Sequence, residues 1–538
     1  MGVKQDQNAS GREPDSSSSN EPSTGFIYLQ GWRVWLVSVS LAIMMFMVTF
    51  EIPVVATSIV AITRDIGDAN GDASESSWLL TSYLLGYVSI IVISSKLSDL
   101  FGRRPLFVTC ITIFLIASVA CSAAQTLNQL IIFRAFQGIG GGGAYSLGTI
   151  IVTELVPVPR IPNVTAQLSI AVSLGLLLGP VIGGIISLRT TWRWIFIINA
   201  PVSILCLASV LAGMPKDFPW QGHENHAHIG HRPTKARLIM HRLDIVGAVL
   251  LLFAIVSLAA GFEEAGSLFP WKSAYVITLL VLGGILTITL LLWEYYLTKK
   301  DGVMEPVLPW RFFTNRFISA VLFTFFFLGG PFIISVYQLP QRFQIVNGLS
   351  GFDSGVRLIP FTLASPIGTG FAASVTGRLK IPPIWIILTG SILQVIGFAL
   401  LGTLPITTEL LSRTYGFEVI CGFGCGMNLA LLFVIVPQVA EKRDQAVAIG
   451  SASQFRMMGS AVAASVVNSV FNGYTKPQLA SMGLSDATLG PTRPGEDDEA
   501  VRLIYARGYN LQLIVLAAFA AAQIPATLLF WRRPQITV

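Results

Sequence analysis

Glu51 stands in "FEIPVVATSIV" as the only charge between Val34 and Thr63. A carboxyl in so apolar a run can take up and release a proton, which is the chemistry of a proton carrier. It also fits an interfacial acid near a helix mouth. Arg134, in "FRAFQGIGGGGAYSLG", is a second isolated charge, followed by Gln137, Gly138 and a run from Gly140 to Gly143. A lone guanidinium among apolar residues costs several kcal/mol unless it faces a cavity or an acidic partner, so a buried ion pair tying helices together is one reading. Arg357, Glu418 and Arg456 are further charges in or beside apolar runs. They either line a cavity or pair with one another.

The densest charge lies in "SSKLSDLFGRRP", where Lys96, Asp99, Arg103 and Arg104 surround Gly102. Gly102 permits a tight turn. The arginines suit a headgroup anchor, and Asp99 suits either backbone donors at a helix start or an arginine partner. "GLLLGPVIGG" sets Gly175, Gly179 and Gly183 four residues apart, on one face of a helix, with Pro180 and Gly184 beside them. Such a face lets two helices approach closely, while Pro180 removes a backbone hydrogen bond and permits bending.

These residues need elements to hold them, and the composition says what kind. Of 538 residues, 53% are hydrophobic and 12% charged, with a mean hydropathy of +0.67. Soluble domains carry about 25% charged residues, so there is too little polar material to coat a water-soluble chain of this length. The apolar stretches, each near the roughly 20 residues a membrane helix needs, number fourteen, from 34–58 to 509–530. Lys and Arg concentrate in alternate loops, which the positive-inside rule places in the cytosol with both termini. Residues 1–33 read as a disordered cytosolic tail rather than a signal peptide, and 531–538 as a second cytosolic tail. The segment 471–508 reads as a hydrophilic exoplasmic loop. The sequons at Asn8 and Asn163 fall on the cytosolic side and are expected to stay unmodified.

The five cysteines, Cys110, Cys121, Cys206, Cys421 and Cys425, lie within apolar spans and read as small buried hydrophobes. His223, His226, His228, His231 and His241 sit in the linker 214–242. A solvated linker is expected there in preference to a metal site, since the segment has no cysteine. No metal, no cofactor and no nucleic-acid partner is expected.

Four of these motifs carry a resemblance to the major facilitator superfamily. Lys-Leu-Ser-Asp-x-x-Gly-Arg-Arg, from Lys96 to Arg104, resembles its loop between the second and third helices, with Ser95 where the family usually starts on glycine. The resemblance implies a cytosolic latch made by Lys96, Asp99, Gly102, Arg103 and Arg104. Arg134 with Gln137 and Gly138 resembles the family's Arg-x-x-Gln-Gly, linked to proton transfer. Gly-Pro-x-x-Gly-Gly, from Gly179 to Gly184, resembles the antiporter motif of its exporters. Glu51 stands where fourteen-spanner drug:proton antiporters carry aspartate. "LDIVGAVLL" from Leu243, the stretch from Tyr337 and "GFGCGM" from Gly422 resemble the same group, and "TGRLKIPP" around Arg378 is a degenerate second copy of the latch.

The implied architecture is an all-α integral membrane protein. A six-helix half spans 34–213, two inserted helices span 243–296, a cytosolic linker spans 297–316, and a second six-helix half spans 317–530. The implied function is proton-coupled efflux of small amphipathic organic molecules, such as toxins, drugs or secondary metabolites. Glu51 and Arg134 would couple the proton gradient, which is the energy source, and Gln137, Arg357, Glu418 and Arg456 are the cavity candidates. A monomer in the plasma membrane is expected, with the vacuolar membrane as the second location. An importer, a siderophore carrier or a basic-amino-acid carrier of the same fold is the alternative. A non-transporting receptor would need a folded cytosolic domain, and a membrane enzyme would need a metal cluster.

Overall fold

The computed structural model describes residues 28–66, 73–157, 160–216, 218, 244–265, 269–300, 304, 306–441, 444–482 and 499–531. The histidine-rich segment 219–243, with all five histidines, lies outside them, as do 1–27 and 532–538. Backbone polar groups in hydrocarbon must be satisfied within their own segment, which makes helices the natural state of these apolar runs. The first half comprises α1 (Trp32–Ile66), α2 (Ala73–Phe101), α3 (Arg103–Ala123), α4 (Leu127–Leu155), α5 (Ile161–Arg189), and the pair α6 (Arg193–Ile197) and α7 (Asn199–Gly213). Two helices follow, α8 (Ile245–Glu264) and α9 (Ala274–Lys300). The second half comprises α10 (Arg311–Thr314), α11 (Arg316–Gly329), a π-helical turn (Gly330–Ile334), α12 (Ser335–Ile345), α13 (Gly351–Arg357), α14 (Ile359–Leu379), α15 (Pro383–Gly402), α16 (Arg413–Val439), α17 (Gln445–Ser481) and α18 (Glu499–Leu528).

Each of the fourteen expected stretches falls on helix. Among the described residues, 12 helical stretches are long and apolar enough to cross a membrane. The two outside that set are α4, diluted by the Gly140–Gly143 run, and α17, rich in serine and glutamine. α4 is mostly buried among other helices, as is the first part of α17 from Ala446 to Val467, so the polarity there is kept from lipid.

Three expected boundaries are corrected. The two ends of the loop 471–508 are helical: α17 continues to Ser481 and α18 begins at Glu499. At about 1.5 Å per residue, a helix of 37 residues outruns the roughly 30 Å hydrocarbon core. Phe471 explains the extension, because it packs on Tyr505 and Tyr509, with ring centroids 5.8 and 5.0 Å apart, and ties the two helices beyond their apolar runs. The linker 297–316 contains the end of α9 and the short α10. The tail 1–33 ends earlier, since Trp32 and Arg33 already belong to α1.

A second internal repeat underlies the two halves. Phe133-Arg134-Ala135-Phe136-Gln137-Gly138-Ile139-Gly140 on α4 aligns with Phe417-Glu418-Val419-Ile420-Cys421-Gly422-Phe423-Gly424 on α16. The glycines do the same work in each copy. A Cβ at Gly138 or Gly142 would strike the backbone of Tyr83 or Tyr87 on α2, and one at Gly422 or Gly426 would strike Phe361 or Ser365 on α14. The halves meet where α5 packs on α14, and where α2 and α4 pack on α17. The helix α8 touches both α2 and α17.

Candidate functional site

Glu51 is fully buried on α1 and takes hydrogen bonds from three side chains. Arg134 Nη1 donates to Oε1 at 2.7 Å, Gln137 Nε2 donates to Oε1 at 2.9 Å, and Asn199 Nδ2 donates to Oε2 at 2.7 Å. The sequence places these groups by helix geometry: Arg134 and Gln137 lie three residues apart on one face of α4, and Asn199 opens α7. Arg134 Nη1 also donates to Gln137 Oε1 at 2.8 Å, and its Nε to the Leu79 carbonyl at 3.1 Å. The Tyr83 ring lies 4.4 Å from the guanidinium carbon. Ser118 of α3 accepts from Gln137 at 2.9 Å. The pair is therefore a buried ion pair in which both Glu51 oxygens are hydrogen-bonded and Arg134 leaves only Nη2 without a partner, close to the condition under which such a pair is tolerated. Asn199, Ser118 and Tyr83 were not singled out in the sequence; each is a common residue whose role appears only when five helices converge.

The glycine motif acts on the opposite face of the same helix. Thr49, Pro53 and Thr57 on α1 stand at the same four-residue interval as Gly175, Gly179 and Gly183 on α5, and each meets its glycine in register. A Cβ at Gly179 would lie 2.5 Å from the Pro53 ring. With 100° between successive residues, Glu51 projects away from this seam. Gly184 has open space around it and takes no part in the close approach. Pro180 lies inside α5, between the seam glycines.

At the basic-loop end, Gly102 adopts φ 95°, a left-handed conformation that favours glycine, and caps α3. Arg103 donates to Asp99 Oδ1 at 2.6 Å, and its Nε and Nη2 reach both Glu154 oxygens at 2.8 to 3.1 Å. Glu154, at the end of α4, was missed because it reads as an ordinary helix-terminal acid. Arg104 donates to the Leu211 carbonyl of α7 at 2.8 Å. Lys96 is buried in the field of Asp99 and of Glu294 from α9. Across the seam, Ser95 packs on Gly450 of α17. A second arginine–aspartate pair, Arg311 with Asp444, ties α10 to the start of α17.

Of the remaining candidates, Arg357, Glu418 and Arg456 do not pair with one another. Glu418 is fully buried with both oxygens free of hydrogen bonds, and the charge acting on it is Arg342. Arg456 crosses the interface to Tyr145, its Nη2 donating to the phenol at 2.9 Å. Arg357 is partly exposed at the end of α13. Besides the charges of Glu418 and Arg342, the second half carries a network of buried amides on α15, α16 and α18. Asn428 donates to Ser391 at 2.9 Å and to Gln523 at 2.8 Å, and Gln523 donates to Gln394 at 2.9 Å. The five cysteines are buried as free thiols, and no metal-holding cluster of His, Cys, Asp and Glu occurs among the described residues.

Comparison with known proteins gives this geometry its setting. The chain is 34% identical over 516 residues to the MFS-type transporter FPY5 of Fusarium mangiferae, covering 94% of this chain and 85% of that one. It is 28% identical to Multidrug resistance protein 3 of Bacillus subtilis (strain 168), covering 85% and 81%. In fold it is similar to a bacterial homolog of the human lysosomal transporter Spinster, with a TM-score of 0.55, 14% identity, and coverage of 94% and 99%. The family model described as Major Facilitator Superfamily matches residues 34–464, from the start of α1 into α17. The chain is a multi-pass membrane protein and belongs to the major facilitator superfamily of transporters.

Proposed function

We propose that the protein is a proton-coupled exporter of small amphipathic organic molecules. The observation that carries this is the Glu51 carboxyl, fully buried and held by Arg134, Gln137 and Asn199 at the meeting of α1, α4 and α7. A carboxyl there can bind and release a proton only when the surrounding helices part, which links proton exchange to a change of shape. The glycine seam on the opposite face of α1 gives a route for that link, since bending α5 at Pro180 shifts the helix that carries Glu51. The resistance named in the Bacillus subtilis relative supports outward transport.

In this cycle, substrate and proton use the cavity between the halves alternately. The cluster of Asp99, Arg103 and Glu154 closes its cytosolic end in one state and opens in the other. The proton gradient supplies the energy, the protein works as a monomer, and both termini face the cytosol of a cell bounded by the plasma membrane. The test is Glu51→Gln in vesicles with an imposed pH gradient. Insertion is expected to persist, with a lower melting temperature because Arg134 loses its carboxylate, while gradient-driven transport is lost, because an amide cannot cycle a proton. Undiminished transport would remove Glu51 from the coupling role.

A further inference from the structure

The described residues contain five buried bases: Lys96, Arg103, Arg134, Arg342 and Arg456. Four of them have an acid. Arg103 has Asp99 and Glu154, Arg134 has Glu51, Arg342 faces Glu418, and Lys96 lies in the field of Asp99 and Glu294. Arg456, only 2% exposed, forms no ion pair with a carboxylate among the described residues. Its one hydrogen bond to a side chain is the 2.9 Å bond to the Tyr145 hydroxyl, and its Nε is buried without a partner. A buried cation is costly unless paired, and one neutral phenol compensates it poorly.

Its position gives the missing charge a source. Arg456 projects from α17 of the second half onto α4 of the first, so its only side-chain partner lies across the seam that must open for transport. Tyr145 stands 5.9 Å from the Tyr87 ring, which in turn stands 6.1 Å from Tyr83, and Tyr337 from the second half lies near both Tyr83 and Tyr87. An arginine beside a row of phenols offers a charged donor fork and flat apolar faces in one place.

We infer that Arg456 and the tyrosines Tyr83, Tyr87, Tyr145 and Tyr337 form a binding site for the acidic group of an amphipathic organic anion with an aromatic body. The class includes carboxylates, enolates and phenolates. When the halves part, the Tyr145 bond breaks and the substrate's oxygens take the guanidinium. This site rests on the exporter reading for its biological use, and binding can be measured without it.

The experiment uses the full-length protein in lipid nanodiscs and three fluorescent probes of one ring system: 9-anthracenecarboxylate, 9-anthracenemethanol and 9-(aminomethyl)anthracene. The carboxylate is expected to bind on the order of tenfold more tightly than the alcohol, as a charge-assisted hydrogen bond would give, with the amine the weakest. Arg456→Gln is expected to erase the difference and Arg456→Lys to retain part of it. If Arg456→Gln does not fold, the ranking of the three probes on the unaltered protein still decides. Equal, reversed or absent binding of the carboxylate, or an Arg456→Gln protein that keeps the preference, would overturn the assignment. Gradient-driven transport is scored separately in vesicles. Anion preference without such transport leaves the site and removes the exporter reading; transport of the amine alone removes the site and leaves the exporter.

Discussion

The Asn199 amide donates to Glu51 Oε2, the carboxylate oxygen that Arg134 and Gln137 leave free. α7 is thereby tied to α1 through a residue that carries no charge and belongs to no familiar motif. Asn199→Ala leaves that oxygen buried without a donor, at a cost of about 1–3 kcal/mol. The variant is expected to melt at a lower temperature and to show an altered pH dependence of transport, measured in detergent and in vesicles respectively. Asn199→Gln, which can still donate, is expected to recover part of both. Wild-type melting and pH profile in Asn199→Ala would show that Oε2 needs no partner.

At the basic-loop end, Glu154 holds Arg103 through both its oxygens, whereas Asp99 uses one. Glu154→Gln is therefore expected to disturb this end of the bundle more than Asp99→Asn. Loss of a charge-assisted pair, worth about twice a neutral hydrogen bond, shifts a two-state balance by roughly tenfold. Cysteine labelling from each side of the membrane reads the balance. The reverse ranking would place the latch on Asp99 instead.

The glycines of the antiporter-like string are expected to divide sharply. Gly179→Ala drives a Cβ into the Pro53 ring, and Gly183→Ala meets Thr57 and the Val54 carbonyl, so both should lower stability and transport. Overpacking of this kind costs about 1–3 kcal/mol. Gly184→Ala meets nothing within 4 Å and is expected to behave as wild type. Thermal melting of the three variants side by side is sufficient to check the split.

Asp65, past the apolar part of α1, accepts from Trp192 at 2.9 Å and from Arg193 at 2.9 Å, and these bonds hold its carboxyl below the ordinary value of 3.8. A lowered carboxyl stabilises the fold above its ordinary value and ceases to do so as the pH falls through the lowered one. The pair is exposed, so the effect is small. The melting difference between wild type and Asp65→Asn is expected to be steady from pH 7 to 5 and to shrink below about 3.8. A difference that grows on acidification would contradict the assignment.

Much of this was legible in the sequence because the membrane makes helices obligatory and punishes charge. Glu51 and Arg134 stood out as an acid and a base among apolar residues, Asp99 as part of the densest charge, and the spacing of Gly175, Gly179 and Gly183 marked a face. What could not be read was partnership. Asn199, Ser118 and Glu154 are unremarkable in their own segments, and their roles arise from contacts between helices far apart in the chain. The Phe133–Phe417 repeat was present in the letters, but Arg134 against Glu418 and Gln137 against Cys421 hid it by reversing or removing the functional groups. The extended α17 was misread because its last turns are polar, and the aromatic pairing of Phe471 that sustains them is not a periodic signal.

That repeat also bears on how the chain could change over generations. If the halves descend from one duplicated ancestor, the first copy kept its acid and base hydrogen-bonded, Glu51 with Arg134, while the second holds Glu418 in the field of Arg342 without a hydrogen bond and carries the amides Gln394, Asn428 and Gln523 on α15, α16 and α18. Inheritance has then separated two burdens that a symmetric ancestor would have carried twice. Substitutions around the amides of the second copy can accumulate without touching the Glu51–Arg134 pair of the first, so a lineage could reshape one half while leaving that pair intact.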